Sequence, residues 1–173
     1  MSAHPQDRLQ PALLDRLCDD ARANPNEPDE RRVMTKQQIR AAVLRDLSWL
    51  FNAVQPLAGV VDADTAVAGS VLNYGLPPIS GQLASRVDVS VLEGQLRNAI
   101  ERFEPRILAE TLSVRALETE SVLDAHNIIE FEIRGFLWAQ PVPLELLLRT
   151  QLDLEIGQVL VKDASGVAVG SAG

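Results

Sequence analysis

The residues of this 173-residue chain with the clearest chemical potential are paired carboxylates. Glu101 and Glu104 stand three apart at a predicted helix end, and Glu130 and Glu132 share the polar face of a predicted strand. Two carboxylates are enough for glycoside hydrolysis, so a peptidoglycan hydrolase acting through Glu104 is one hypothesis. In an acidic chain, however, such carboxylate pairs arise by chance, because acidic residues are numerous. We interpret the strand pair as a solvated face with ion pairs to neighbouring arginines.

Other catalytic groups are scarce. His126 lies beside Asn127 in a predicted turn, and Cys18 has no histidine near it in the sequence, so neither predicts nucleophilic catalysis. Two histidines and one cysteine make a structural zinc site improbable. The glycine-rich loops that cradle phosphates are absent as well. We predict no catalytic residues, no metal and no cofactor.

The Glu104-Pro105-Arg106 tripeptide is the most unusual local feature. Proline fixes the backbone, and the arginine fork suits two-point recognition of a carboxylate. One interpretation is a helix stop with an internal ion pair between Glu104 and Arg106. The other is a rigid polar contact for a partner protein. The residues alone leave both open.

Composition excludes several classes of function. The formal net charge of −8 argues against a protein that follows nucleic-acid phosphates, and an aromatic content of 4% argues against base stacking or a sugar-binding cleft. No apolar run approaches the roughly 20 residues needed to cross a bilayer. The first eight residues lack the apolar stretch of a secretory signal, and one cysteine fits a reducing compartment. We therefore expect a cytoplasmic protein that binds neither nucleic acid nor membrane.

Two amphipathic helices are predicted. The first begins at Thr35, whose spacing from Gln38 matches a capping box, and ends near Asn52 or Val54. Its apolar stripe contains Ile39, Val43, Leu47, Leu50 and Val54.

The second helix is predicted to begin at Ser90, because Ser90 and Glu93 match the same capping pattern. It should end at Glu104, because Pro105 disfavours helical geometry in the residue before it. Its apolar stripe contains Leu92, Leu96, Ile100 and Phe103.

Alternation of apolar and polar residues predicts strands over 112–116, 129–134 and 148–155. The resulting fold class is α+β, with two main amphipathic helices packed on one face of a three- or four-stranded, mainly antiparallel sheet. A short N-terminal helix precedes them. A terminal strand of such a sheet exposes unpaired backbone groups that could accept a strand from another chain. The sequence does not indicate which edge is free.

The chain is predicted to have three parts: an N-terminal segment with a short helix and polar linker over 1–34, a folded domain over 35–163, and a tail over 164–173. Leu13, Leu14 and Leu17 lie on one side of the short helix and dock either on their own domain or on a partner. Asn73 and Tyr74 belong to a turn that we expect to be anchored in the core.

Several stretches together resemble one protein family. The most specific are Asn73-Tyr74-Gly75-Leu76-Pro77 and Phe103-Glu104-Pro105-Arg106. The chain resembles TssE, the baseplate subunit of the bacterial type VI secretion system, in the phage-tail baseplate wedge family once labelled lysozyme-like. The matching stretches follow one another in the expected order at 13–17, 43–50, 70–77, 100–106, 131–133 and 149–155.

The resemblance implies a structural role without enzymatic activity. It implies contacts with the wedge subunits TssF, TssG and TssK, and a first docking layer for the contractile sheath of TssB and TssC, whose subunits interlock by exchanging strands. It also ties Glu104, Pro105 and Arg106 to assembly. The corresponding expectation is that Arg106→Ala abolishes sheath assembly and leaves the isolated fold intact. Asn73, Tyr74 and the leucines at positions 13, 14 and 17 are further candidates for partner binding.

Overall fold

The computed structural model describes residues 13–17, 34–62, 65–79, 88–117, 128–139 and 142–164. Single-turn 3-10 helices lie at Val71–Asn73 and Ala109–Thr111. The helices are α1 (Leu13–Leu17), α2 (Lys36–Asn52) and α3 (Val89–Phe103), and the strands are β1 (Ser113–Ala116), β2 (Ile128–Leu137), β3 (Leu144–Asp153) and β4 (Val159–Asp163).

The four strands form an antiparallel meander in the order β1-β2-β3-β4. Alternate residues of the strands are buried on one face of the sheet, where α3 packs beside β1, α2 packs beside β4, and the two helices contact each other. The predicted α+β class is confirmed. The largest fully buried strand residues are Phe131, Ile133, Leu137, Leu146, Leu148 and Leu152.

The fourth strand is the element that sequence patterning did not locate. Asp153 accepts a backbone hydrogen bond from Gly157, which has a positive φ, and this tight turn returns the chain into β4. Ala164, which was assigned to the tail, is buried, and its N–H donates to the carbonyl of Leu147. Residues 165–173 of the predicted tail and 18–33 of the predicted linker lie outside the described part of the chain.

Helix α2 begins as predicted. The Thr35 hydroxyl accepts the N–H of Gln38 at 3.2 Å, and the Gln38 side chain accepts the N–H of Thr35 at 2.8 Å. The predicted stripe is buried up to Leu50, but the inclusion of Val54 is wrong, because the helix ends at Asn52 and Val54 is 63% exposed. Val54 instead forms an isolated bridge to Leu76.

Helix α3 ends at Phe103 with Glu104 as its C-cap, within one residue of the predicted end, but its predicted start is wrong. The N-cap is Asp88, whose carboxylate accepts the N–H and hydroxyl of Ser90 at 2.9 and 2.6 Å. A carboxylate before the first turn satisfies a free amide there, so Ser90 lies inside the helix. Glu93 therefore does not cap the helix, and its carboxylate accepts a hydrogen bond from the Ala116 N–H at 2.6 Å.

Gly75 holds the turn at 70–77 against the end of α2. Its φ of 122° suits glycine alone, and a Cβ there would come within 2.3 Å of the carbonyl oxygen of Ala53. The Leu76 N–H donates to that same carbonyl at 2.8 Å, and Leu76 is buried. The prediction of an anchored turn is confirmed.

We expect Gly75→Ala to lower the free energy of unfolding by more than about 2 kcal/mol, because it combines backbone strain with a clash against backbone atoms. Gly94→Ala is the matched control. A Cβ at Gly94 meets no atom within 4 Å, and alanine favours the interior of α3, so it should stabilise by about 0.5–1 kcal/mol. Chemical denaturation measures both, and equal effects of the two substitutions would contradict this role of Gly75.

Candidate partner-binding site

The Glu104-Pro105-Arg106 turn forms a closed ion pair. One Glu104 oxygen accepts the Arg106 backbone N–H at 3.2 Å and its Nε at 2.6 Å, while the other accepts Nη2 at 2.5 Å. The Glu104 side chain is only 3% exposed and that of Arg106 is 26% exposed, whereas Pro105 is exposed. Pro105 supplies the bend that brings these two charges together. The interpretation as a helix stop with an internal ion pair is thus confirmed.

Asp46 of α2 is the third member of this site. Its Oδ2 accepts Arg106 Nη2 at 2.5 Å, so the arginine joins the end of α3 to the middle of α2. Partial burial lowers the pKa of Arg106, but the hydrogen bonds and charges of Glu104 and Asp46 outweigh it, and the pKa is raised overall. Arg106 therefore remains charged, and it neutralises the buried Glu104 carboxylate.

The ion pairs continue from Asp46 to helix α1. Asp46 Oδ1 accepts Arg45 Nε at 2.9 Å, and Arg45 Nη1 lies 2.7 Å from Asp15. The Arg45 guanidinium also lies over the Trp49 ring, 5.2 Å from its centroid. Five side chains of alternating charge thus run from the end of α3 to the N-terminal helix: Glu104, Arg106, Asp46, Arg45 and Asp15.

Tyr74 packs against the same site. Its hydroxyl donates to the Asp46 carbonyl at 3.5 Å, and its ring meets the Phe103 ring edge to face at 5.2 Å. Burial raises the pKa of Tyr74, and the negative charges of Asp46 and Glu104 raise it further. The structure therefore brings Tyr74 together with the Glu-Pro-Arg turn.

Asn73 lies next to Tyr74 but does not face outward. Its side chain is buried, accepting the Leu57 N–H at 3.2 Å and donating to the Ala68 carbonyl at 3.1 Å. These two bonds fasten the loop before the turn. Asn73 therefore positions the turn, and direct contact of its side chain with a partner would require the loop to open.

Two leucines of α1, Leu13 and Leu14, are exposed, while Asp15 holds the helix against the domain. Leu13 is 71% exposed and Leu14 is also exposed, whereas Asp15 is nearly buried. The side chain of Leu17 lies outside the described part of the chain. Among the described side chains of α1, Asp15 contacts the domain through its ion pair with Arg45, whereas Leu13 and Leu14 are exposed.

A family comparison matches residues 37–142, which contain the Asp46, Tyr74 and Glu104-Pro105-Arg106 positions, to the family described as baseplate wedge protein gp25. The chain belongs to the baseplate wedge protein gp25 family. Searches of curated proteins and of solved structures gave no match.

Membership in the gp25 family identifies the protein as a structural component of a phage-tail-like baseplate that associates with other baseplate components. Within the described segments, no helix is both long enough and apolar enough to cross a membrane.

Sequence reasoning missed three members of this ion-pair site: Asp15, Arg45 and Asp46. The sequence feature that could have indicated them is the adjacent pair of opposite charges at Arg45 and Asp46, beside the apolar stripe of α2. Their partners lie 30 and 60 residues away in the chain, so spacing alone could not pair them.

The other chemical candidates are engaged elsewhere or lie outside the described residues. Glu101 forms an ion pair with Arg97 at 2.8 Å, and Glu132 forms one with Arg134 at 2.6 Å. Glu130 accepts a hydrogen bond from the side-chain amide of Gln151. His126 and Cys18 are not among the described residues. Across the ranges that the structure describes, no three histidine, cysteine or acidic side chains cluster to hold a metal.

Glu104 is poorly placed to act as a general acid. Both of its oxygens accept hydrogen bonds from Arg106, and the side chain is buried. A general acid needs its proton within hydrogen-bond reach of the substrate. The geometry at Glu104 thus favours a structural role over hydrolysis.

We expect Arg106→Ala to lower the free energy of unfolding by about 2–4 kcal/mol, because it leaves the Glu104 carboxylate buried without a cation. This replaces the expectation of an intact fold drawn from the resemblance. The matched control, Arg97→Ala, breaks an exposed pair with Glu101 and should cost at most about 1 kcal/mol.

Chemical denaturation of the wild type, the Arg106→Ala and Glu104→Gln single variants and the Glu104→Gln/Arg106→Ala double variant gives the coupling energy of the pair. The double variant should be more stable than Arg106→Ala alone, because a neutral amide is cheaper to bury than an unpaired carboxylate. An Arg106→Ala variant as stable as Arg97→Ala would show that the ion pair contributes little to the fold.

We expect the native protein to ionise Tyr74 at a higher pH than the unfolded chain does. Its raised pKa means that the neutral hydroxyl stabilises the fold fully below the ordinary tyrosine pKa of about 10, and that this stabilisation is lost as pH rises through the folded-state pKa. Tyr74 is the single tyrosine, so the ultraviolet absorbance of its phenolate reports this residue alone.

Asp46→Asn should lower the Tyr74 pKa in that titration, because it removes one of the two negative charges that raise it. Glu101→Gln, at the exposed pair on α3, is the charge-matched control and should leave the Tyr74 pKa where it is. If Tyr74 ionised at the same pH in the native protein as in the unfolded chain, its burial beside the carboxylates would be contradicted.

Proposed function

We propose that this protein is a structural wedge subunit of a bacterial type VI secretion baseplate. In this role it joins TssF, TssG and TssK, and starts polymerisation of the TssB–TssC contractile sheath. The observation that carries the proposal is the gp25-family match over residues 37–142, which contain the Asp46, Tyr74 and Glu104-Pro105-Arg106 site. The protein acts in the cytoplasm and has no catalytic activity of its own.

The ion-pair geometry divides this site into an inner and an outer part. Glu104 and Asp46 bind the inner side of Arg106 and fix the angle between α2 and α3. Pro105 and the exposed quarter of Arg106 form the outer part. We assign partner contact to this outer surface, because a rigid, convex turn presents the same shape to every partner and loses little entropy on binding.

The exposed face of α1 is the second contact surface. Leu13 and Leu14 are exposed apolar side chains on a helix held by the Asp15–Arg45 ion pair, and Trp49 lies exposed beside Arg45. Exposed apolar groups of this kind mark protein contacts when they cluster. We assign this surface to the neighbouring wedge subunits.

The first test is purification of the tagged protein from the bacterium that carries its gene. We expect TssF, TssG and TssK to copurify, and we expect deletion of the gene to abolish assembly of fluorescently tagged TssB into sheaths. Purification without any wedge subunit would overturn the proposal. So would release of muropeptides from cell wall by the pure protein, if Glu104→Gln abolished that release.

We expect Pro105→Asp to raise the dissociation constant for the wedge subunits at least about tenfold, a loss of about 1.4 kcal/mol of binding energy, and so to lower their copurified yield. It adds a charge at the exposed turn without removing either partner of the Glu104–Arg106 pair. Ala109→Asp adds the same charge at an exposed position four residues later and is the control. Equal yields from the two variants would mean that Pro105 does not contact the wedge.

A further inference from the structure

The face of the sheet turned away from α2 and α3 carries a line of charged side chains. Cross-strand register aligns four residues, one from each strand, in the order Arg115, Glu132, Arg149 and Lys162. Side chains alternate between the two faces of a strand, and the helices cover the buried, apolar face, so these four lie on the other one. Neighbouring strands are about 4.8 Å apart, so this cross-strand row is about 14 Å long.

The three cations of the cross-strand row are exposed and unpaired. Among the described residues, none forms an ion pair or a side-chain hydrogen bond with Arg115, Arg149 or Lys162. Glu132, the acid between the two arginines, instead pairs with Arg134 of its own strand at 2.6 Å. Three free cations thus stand close together on a chain whose net charge is −8. Because they repel one another, the row favours a negatively charged partner.

Apolar side chains lie on both sides of the cross-strand row. Leu160 is two residues before Lys162 on β4 and is 51% exposed. Leu147 is two residues before Arg149 on β3 and is half-buried. The two strands run in opposite directions, so the leucines flank the row on its two sides. An element laid along the row would therefore bury apolar surface as well as form ion pairs.

The spacing of the cations fits a helix. Arg115 and Arg149 are about 10 Å apart with Glu132 between them, and Arg149 and Lys162 are about 5 Å apart. Helix residues seven and then four positions apart lie on one side, at about 10.5 and 6 Å along the axis. An extended strand presents same-side residues only at multiples of about 7 Å, which does not match the row.

We propose that this face of the sheet binds an acidic amphipathic helix of another protein, laid across the four strands. The helix carries carboxylates at positions i, i+7 and i+11, which meet Arg115, Arg149 and Lys162. Its position i+4 lies over Glu132 and carries a neutral or basic residue, since like charges in contact oppose binding. The inference goes beyond the proposed function, because it specifies the chemistry of a partner on a face that the proposed function leaves unassigned.

A helix suits the row better than a lipid surface or a nucleic acid does. Anionic headgroups and phosphate backbones present negative charge without gaps. Such a surface would also face Glu132 inside the row and Glu130 in the next row, which binds the side-chain amide of Gln151. The net charge of −8 would repel the rest of an extended anionic surface. Separate carboxylates with a gap between them avoid both penalties.

The test uses the purified full-length protein and a fluorescently labelled synthetic helical peptide of about 20 residues. The peptide carries Glu at i, i+7 and i+11, Gln at i+4, and leucines on the same side. Fluorescence anisotropy gives the dissociation constant. Replacing the three Glu by Gln should raise it at least about tenfold. Adding a fourth Glu at i+4 should raise it several-fold, although the peptide becomes more acidic.

Charge reversal at Lys162 tests the protein side. Lys162→Glu should raise the dissociation constant at least about tenfold, because it removes one cation and its carboxylate pairs with Arg149 across the strands. Lys36→Glu makes the same change in net charge at the exposed first residue of α2, where a helix favours an acid, and should bind like the wild type. Arg149→Gln adds no charge and should weaken binding about three- to tenfold.

Three outcomes would overturn the inference. Equal binding by the Lys162→Glu and Lys36→Glu variants would place the peptide elsewhere on the protein. Tighter binding of the peptide with the added Glu would show attraction by net charge alone. Binding of phosphatidylserine vesicles or of a DNA duplex that Lys162→Glu abolishes, without binding of the peptide, would assign the face to an extended anionic surface.

Carbodiimide cross-linking, which joins an ammonium group to a carboxylate in direct contact, separates this inference from the proposed function. Lys36 and Lys162 are the lysines of the chain, so the products are readily assigned. In the assembly that copurifies with the tagged protein, Lys162 should be joined to an Asp or Glu on a helix of a partner. Lys162→Arg should lose this link and retain the partner, because it keeps the charge.

The two proposals fail in different ways. If TssF, TssG and TssK copurify but Lys162 is joined only to carboxylates of its own chain, the inference is overturned and the proposed function stands. If no wedge subunit copurifies but the peptides bind in the expected order, the acidic-helix site stands and the proposed function is overturned.

Discussion

The buried carboxylate of Glu104 is the constraint on which the arrangement of the two long helices depends. A carboxylate can stay inside a protein only if a cation and hydrogen bonds replace the water it loses. Arg106 supplies both from two residues away, across the bend that Pro105 imposes. Because the same guanidinium also binds Asp46, satisfying Glu104 fixes where α3 ends relative to α2.

This arrangement of Glu104, Arg106 and Asp46 also determines which groups the turn exposes. With its charges turned inward, the Glu-Pro-Arg turn presents proline and part of a guanidinium rather than a reactive acid. The same helices also reach the edges of the sheet, where Asn52 at the end of α2 and Glu93 near the start of α3 bind outward backbone groups of β4 and β1. The helices thus cover one face of the sheet and control both of its edges, which suits a subunit that assembles with others in order.

Much of the secondary structure followed from local rules in the sequence. Thr35 and Gln38 cap α2, and Pro105 stops α3, because these effects act within one turn of the chain. The start of α3 was misassigned because Asp88 competes with Ser90 for the same free amides, and both fit a capping pattern. The strand β4 was not located because its five residues begin with three consecutive apolar side chains and so lack the alternation of a half-buried strand.

The sequence by itself determined the fold class, the start of α2, the stop of α3 before Pro105 and the family, because periodicity, capping and the order of short motifs are properties of neighbouring residues. Only the tertiary structure decided which charges pair and which side chains bind the edges of the sheet. Arg106 meets Asp46 across 60 residues, and Asn52 meets Val159 across 107. Such contacts depend on how the helices dock on the sheet, and no local spacing encodes that docking.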